Sequence, residues 1–237
     1  MPERTFGPIV MVDKRVLRLS ATLLLTGEVL SAVLQFPHPA GGPTYEVTFE
    51  NYAASGNWAA IHLGQFIAWA VLLAGLLVLF FALNVSEGLQ HWLGFFGAVS
   101  AGVALALTGV LYAVDGVALK HAVDAWASAP AAEKATRLAS AEAIRWLEWG
   151  INSYWNFMQG LALLLYATLI IWTAGISRLL GLLMAVSGLA FIVLGWLTGT
   201  YGFTPANTVP TYVGHGLNDV WMIWLLIIAW RTSRTAR

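Results

Sequence analysis

Six stretches of this sequence are each apolar for about 20 residues, long enough to span a bilayer core of about 30 Å. They lie near residues 17–36, 58–83, 92–114, 147–172, 178–199 and 213–230. The recurrence excludes most folds at once. Backbone polar groups inside a bilayer must be satisfied within the chain, so a polytopic all-α helical bundle is expected. The composition agrees, with 59% hydrophobic residues, 10% charged residues and a mean hydropathy of +0.72. No small-residue cleavage site follows the first run before Gln35-Phe36-Pro37, so it reads as an uncleaved helix.

Charge sets the expected orientation. Arg4, Lys14, Arg15 and Arg18 precede the first span, Arg231, Arg234 and Arg237 follow the last, and Arg178 falls between spans four and five. Loops 37–57 and 200–212 hold no Lys or Arg. The positive-inside rule then puts both termini in the cytoplasm of a multi-pass plasma-membrane protein. Loop 116–146 dissents with Lys120, Lys134, Arg137 and Arg145, offset in part by Asp124, Glu133 and Glu142. Zero net charge argues against a nucleic-acid partner. With no cysteine, disulfides, thiolate metal sites and Cys nucleophiles are excluded. Seven tryptophans (Trp58, Trp92, Trp146, Trp149, Trp172, Trp196 and Trp230) sit near predicted span ends, as an aromatic belt would.

The chain reads as one integral membrane domain over 1–237. Segment 37–57 starts as a Pro/Gly-rich turn and then alternates briefly from Thr44 to Glu50, which suggests a short strand or a lid. Residues 115–146 continue the helical pattern on both sides of Ser128-Ala-Pro130 and predict an outer helical hairpin. In span five, Gly181, Gly188 and Gly195 recur every seven residues, a strip along which another helix can approach closely. That helix belongs either to this chain or to a partner in a homo-oligomer or membrane complex; the other expected contact is the lipid bilayer itself.

Six ionisable residues lie inside these apolar runs: Glu28, His62, Asp115, Glu148, His215 and Asp219. In the expected topology all six fall toward the outer side, and no Lys or Arg lies near the middle of a run to neutralise them. An ionisable group in hydrocarbon costs several kcal/mol unless paired, hydrated or bound to a cation. Helical spacing adds Gln65, Asn152, Asn156 and Asn218 to the same faces. Together they predict an outward-facing polar pocket for a cation or a small polar ligand.

His215 and Asp219, one turn apart, have the spacing of two metal ligands, with His62 and Asp115 to complete the sphere. Imidazole with carboxylate suits zinc, copper(II), iron or manganese. A metal-dependent membrane hydrolase would take Glu148 or Glu28 as its base. Haem held by His62 and His215 is a weaker cofactor reading. An interhelical hydrogen-bond network, a proton pathway and a structural accessory subunit stay open beside these. His38, His91 and His121 fall in loops or at interfaces and receive no role.

Two stretches carry a resemblance: Ser55-Gly56-Asn57-Trp58 through His62 and Gln65 to Phe66, and Glu148 through Trp155-Asn156 and Gly160 to Leu165. With the six-span layout they resemble bacterial multi-pass membrane proteins of unknown function, which implies a plasma-membrane bundle and no activity. A remoter likeness is to ceramidase-type membrane hydrolases, which hold zinc with His and Asp from several helices; His62, Asp115 and His215 correspond in kind. The chain departs from that pattern at Trp58, where a Ser would precede the first His, and at Asp219, where a second His would stand. A seventh span is also missing.

Overall fold

The computed structural model describes residues 12–85, 87–172 and 176–231. Eight α-helices follow in order: α1 (Lys14–Gln35), α2 (Tyr45–Ala54), α3 (Trp58–Leu83), α4 (Gly88–Ala113), α5 (Lys120–Ala127), α6 (Lys134–Trp172), α7 (Arg178–Tyr201) and α8 (Thr208–Trp230). A π-helical segment, Val114–Leu119, joins α4 to α5, and a 3-10 turn, Pro205–Asn207, leads into α8. No strand occurs among the described residues.

Six of these helical segments are long and apolar enough to cross a membrane. Each span packs on the next in sequence, and α1 also packs on α8, so the spans close into a ring. Glycines set the closeness of several crossings. A Cβ added to Gly27 would lie 2.6 Å from the Ala68 carbonyl oxygen on α3, and one added to Gly160 would lie 2.6 Å from that of Gly188. Gly181, Gly188 and Gly195 all face α6. The strip proposed for a partner is therefore filled within the chain. Hydroxyl groups tie the same crossings together. Ser20 donates to the Gly75 carbonyl, Ser153 to that of Gly195, and Ser187 to that of Gly214. Such bonds are favoured in lipid, where water offers no alternative partner.

Because successive helices alternate in direction, Glu28, His62, Asp115, Glu148 and His215 fall toward the end of the bundle away from the chain termini, and Asp219 lies at the middle of α8. Helix α6 is longer than a bilayer core of about 30 Å requires. At 1.5 Å per residue the 39-residue α6 is about 58 Å long. It packs against α5. Segment 37–57 holds a helix where a short strand was an option. Thr44 caps α2 by accepting from the Val47 N–H, and Glu46 lies in its first turn. Helix α2 packs on α5 over a second small core of Phe49, Tyr52, Trp58, Leu119, Val123 and Trp126. This cap covers one end of the ring.

Candidate metal centre beneath the cap

The π-helical turn positions the centre of the site. The Trp58 indole N–H donates to the Gly116 carbonyl within this turn at 3.1 Å. The absent side chain at Gly116 matters as well, since a Cβ there would lie 2.8 Å from His62 Cβ. Asp115, on the same turn, thereby meets His62. Its Oδ2 lies 3.1 Å from His62 Nε2. His62 is 2% exposed and stacks on Trp58 with ring centroids 4.1 Å apart.

His38 completes the group. It follows the end of α1, and its ring centroid lies 5.2 Å from that of His62. One ligand atom each from His38, His62 and Asp115 lies within 4.8 Å of the others. Both imidazoles are oriented from behind. His62 Nδ1 bonds to the Trp58 carbonyl at 2.8 Å and His38 Nδ1 to the Pro39 carbonyl at 2.9 Å. A carbonyl can only accept, so each Nδ1 carries a proton, and Nε2 is the ring atom left to face a ligand. A carbonyl behind Nδ1 is the common second contact of a metal-ligating histidine. Burial, and next the nearby His62, hold the His38 pKa below the usual imidazole range, which favours the neutral ring.

His38 and Asp115 line a polar cavity of about 260 Å³. Gln35, Gln65, Tyr112, Glu148 and Asn152 line it, with Tyr52 from α2 and Phe203 from the α7–α8 connection at its outer edge. Arg145 changes its electrostatics. Arg145 donates to Glu148 Oε2 and to the Tyr52 hydroxyl, and its Nη1 lies 4.0 Å from Asp115 Oδ1. Its guanidinium also sits 4.8 Å from the Phe203 ring centroid. The expectation of no basic partner is thus corrected. Because α6 begins at Lys134, residues 145 and 148 share a helix face three residues apart, and the arginine enters the cavity. The two carboxylates still exceed the single guanidinium, and Asp115 Oδ1 accepts no hydrogen bond.

The other candidate residues fall elsewhere. His215 Nδ1 bonds to Glu28 Oε1 at 2.9 Å, forming a separate pair against Trp69 and Phe191. Asp219, one turn beyond His215, is exposed. Asn218 Oδ1 accepts from the Trp221 indole and lies 2.7 Å from the Ser187 hydroxyl, a contact between α7 and α8. Asn156 donates to the Asn152 side chain at 2.7 Å. Gln65 donates to Gln35 at 3.3 Å and lines the polar cavity. Of the four expected ligands, His62 and Asp115 come together, and His38 stands where His215 was expected. His62 and His215, suggested as an axial pair for haem, each face a different carboxylate.

No protein-family model matches the chain, and no curated protein or solved structure is significantly similar to it. Neither resemblance drawn from the sequence gains support from these comparisons, so function is argued from the site alone.

Proposed function

We propose that this chain is a multi-pass plasma-membrane protein that binds a divalent transition-metal ion, zinc or copper(II), in an outward-facing polar cavity. His38, His62 and Asp115 are the protein ligands. One observation carries the reading: two imidazoles, each with Nδ1 held by a backbone carbonyl, share a small space with one carboxylate. A lone structural histidine needs one good partner; two pre-oriented nitrogens beside a carboxylate match the demands of a tetrahedral or tetragonal ion. The orphan Asp115 Oδ1 and the excess of carboxylate over guanidinium in the cavity add to this.

Three protein ligands leave a coordination position open to water or substrate, which is the pattern of catalytic rather than structural zinc sites. That count supports metal-assisted hydrolysis as the second reading, with Glu148 in the same cavity. The orientation belongs to the proposal too. Termini in the cytoplasm put the cap and cavity outside. The dissenting basic residues on the cap side are spent locally. Lys120 donates to the last carbonyls of α2, Lys134 to those of α5, Arg137 pairs with Glu133, and Arg145 pairs with Glu148.

The test is a thermal melt of purified protein with zinc, with copper(II) and with a chelator, next to elemental analysis. Bound metal at one ion per chain, and a melting midpoint that falls on chelation, is the expected result, since a ligand of the folded state stabilises by mass action. A midpoint indifferent to metal and chelator, with no metal bound, contradicts the reading.

A further inference from the structure

A second cavity backs onto the site from the bilayer side. It also holds about 260 Å³ and lies between α3 and α4, lined by Leu63, Phe66, Gly109 and Val117, with His62 and Tyr112 at its back. Leu63 and Val117 are 61% and 56% exposed on membrane-spanning segments, so its mouth faces lipid tails. Its lining is mostly apolar, with the His62 and Tyr112 side chains as the polar exceptions. A Cβ added at Gly109 would have only Phe66 at 3.9 Å, so this part of the wall is thin and open.

The two cavities share a wall. Tyr112 lines both. His62 lines the lateral one, while its Nε2 reaches Asp115, which lines the polar one. The rings of His62 and Tyr112 stand edge to face at 6.2 Å. An apolar space open to the bilayer therefore ends on an imidazole of the candidate metal group, with Arg145 beyond it. The junction is shallow: His62 lies about 6 Å from the start of α3 at 1.5 Å per residue, one turn in. A water-soluble ligand makes no use of the lateral space, and a wholly apolar one makes no use of Arg145. An amphiphile uses both.

We propose that the site takes the anionic oxygen head of a single-chain lipid, carboxylate or phosphate, whose hydrocarbon chain fills the lateral cavity between α3 and α4. The proposal rests on the metal reading, since the ion and Arg145 together supply the positive charge that the head meets. Arg145 suits either head, because its planar fork matches carboxylate and phosphate oxygens.

Photo-crosslinking of the purified full chain tests this. Three probes carry the same diazirine-bearing chain: a fatty acid, a lysophosphatidic acid and a fatty alcohol. Both acids, or one of them, label peptides around Phe66 and Ala113 in the wild type, and which one does so identifies the head. That labelling is lost in Gly109→Leu, which fills the cavity, and in Leu63→Trp, which narrows its mouth from an exposed position. Equal labelling by the alcohol, or labelling unchanged in both variants, overturns the proposal. Zinc content on the same samples separates the two readings. Localised, charge-dependent labelling without bound metal overturns the metal reading alone, and bound metal without localised labelling overturns the lipid alone.

Discussion

Arg145 is the residue on which the electrostatics of the cavity turns. Its side chain is 12% exposed and that of Glu148 is 4% exposed. Truncating one partner of a buried ion pair leaves the other charge uncompensated, at a cost of about 3–5 kcal/mol. Arg145→Ala is therefore expected to lower the melting midpoint sharply. Arg145→Ala with Glu148→Gln together should recover much of the loss, because Glu148 is then uncharged and Asp115 keeps its contact with His62. A single and a double variant with equal midpoints would contradict the pairing. At the other end of the scale stands Ser187, whose hydroxyl bridges to Asn218 within the membrane. Bonds of this kind average about 0.6 kcal/mol, so Ser187→Ala should be nearly neutral in an unfolding titration. A loss several times larger would show that the α7–α8 seam depends on this contact more than packing alone implies.

Among the elements, the π-helical turn and the glycine crossings make separate demands. A π turn carries one residue more than an α turn, and it aims Asp115 and the Gly116 carbonyl at α3. Deletion of Val117, which is exposed to lipid, should restore α-helical spacing and swing Asp115 away from His62. The expected outcome is a protein with unchanged helical circular dichroism that no longer retains metal. Retention of metal at the wild-type stoichiometry would contradict the role given to the turn. At the α6–α7 crossing, Gly160→Leu forces a side chain against the Gly188 carbonyl and Ile192. Overpacking of this sort costs roughly 1–3 kcal/mol. Gly102→Leu is the control, since nothing lies within 4 Å of its Cβ position.

The same elements explain what could be read in the sequence. The six spans were legible because apolar runs of bilayer length have one stable backbone in lipid. Helix α5 and the start of α6 were legible because the helical pattern continues through both flanks of Ser128 and Pro130. Helix α2 was obscured by the Pro/Gly-rich stretch before it, although Thr44 followed by Glu46 carried a start signal. Arg145 was also within reach, since an unbroken α6 puts it three residues before Glu148 on one face. His38 was not. It sits in a turn beyond α1, and only the return of the chain through α2 into α3 brings it over His62, a contact no local pattern encodes. Asn218 misled for the opposite reason, because helical spacing gives a face without saying whether a cavity or a neighbouring helix lies against it.

At the scale of the whole molecule, a closed ring of spans carries a cap at one end, and the candidate metal centre lies between them. Orientation decides which compartment the cavity meets. The lack of cysteine makes this simple to measure, since any introduced thiol is unique. Ser55→Cys, on the cap side, should react with a membrane-impermeant maleimide in intact cells, and Ser177→Cys, before α7, should react only after permeabilisation. The reverse pattern would place the cavity in the cytoplasm. The central claim, however, is the identity of the ligands. The most direct test is metal content, by elemental analysis, of His38→Ala beside His215→Ala, both purified without chelator. The account predicts that His38→Ala loses the ion while His215→Ala keeps it at one per chain. Metal lost from His215→Ala and kept in His38→Ala would contradict it.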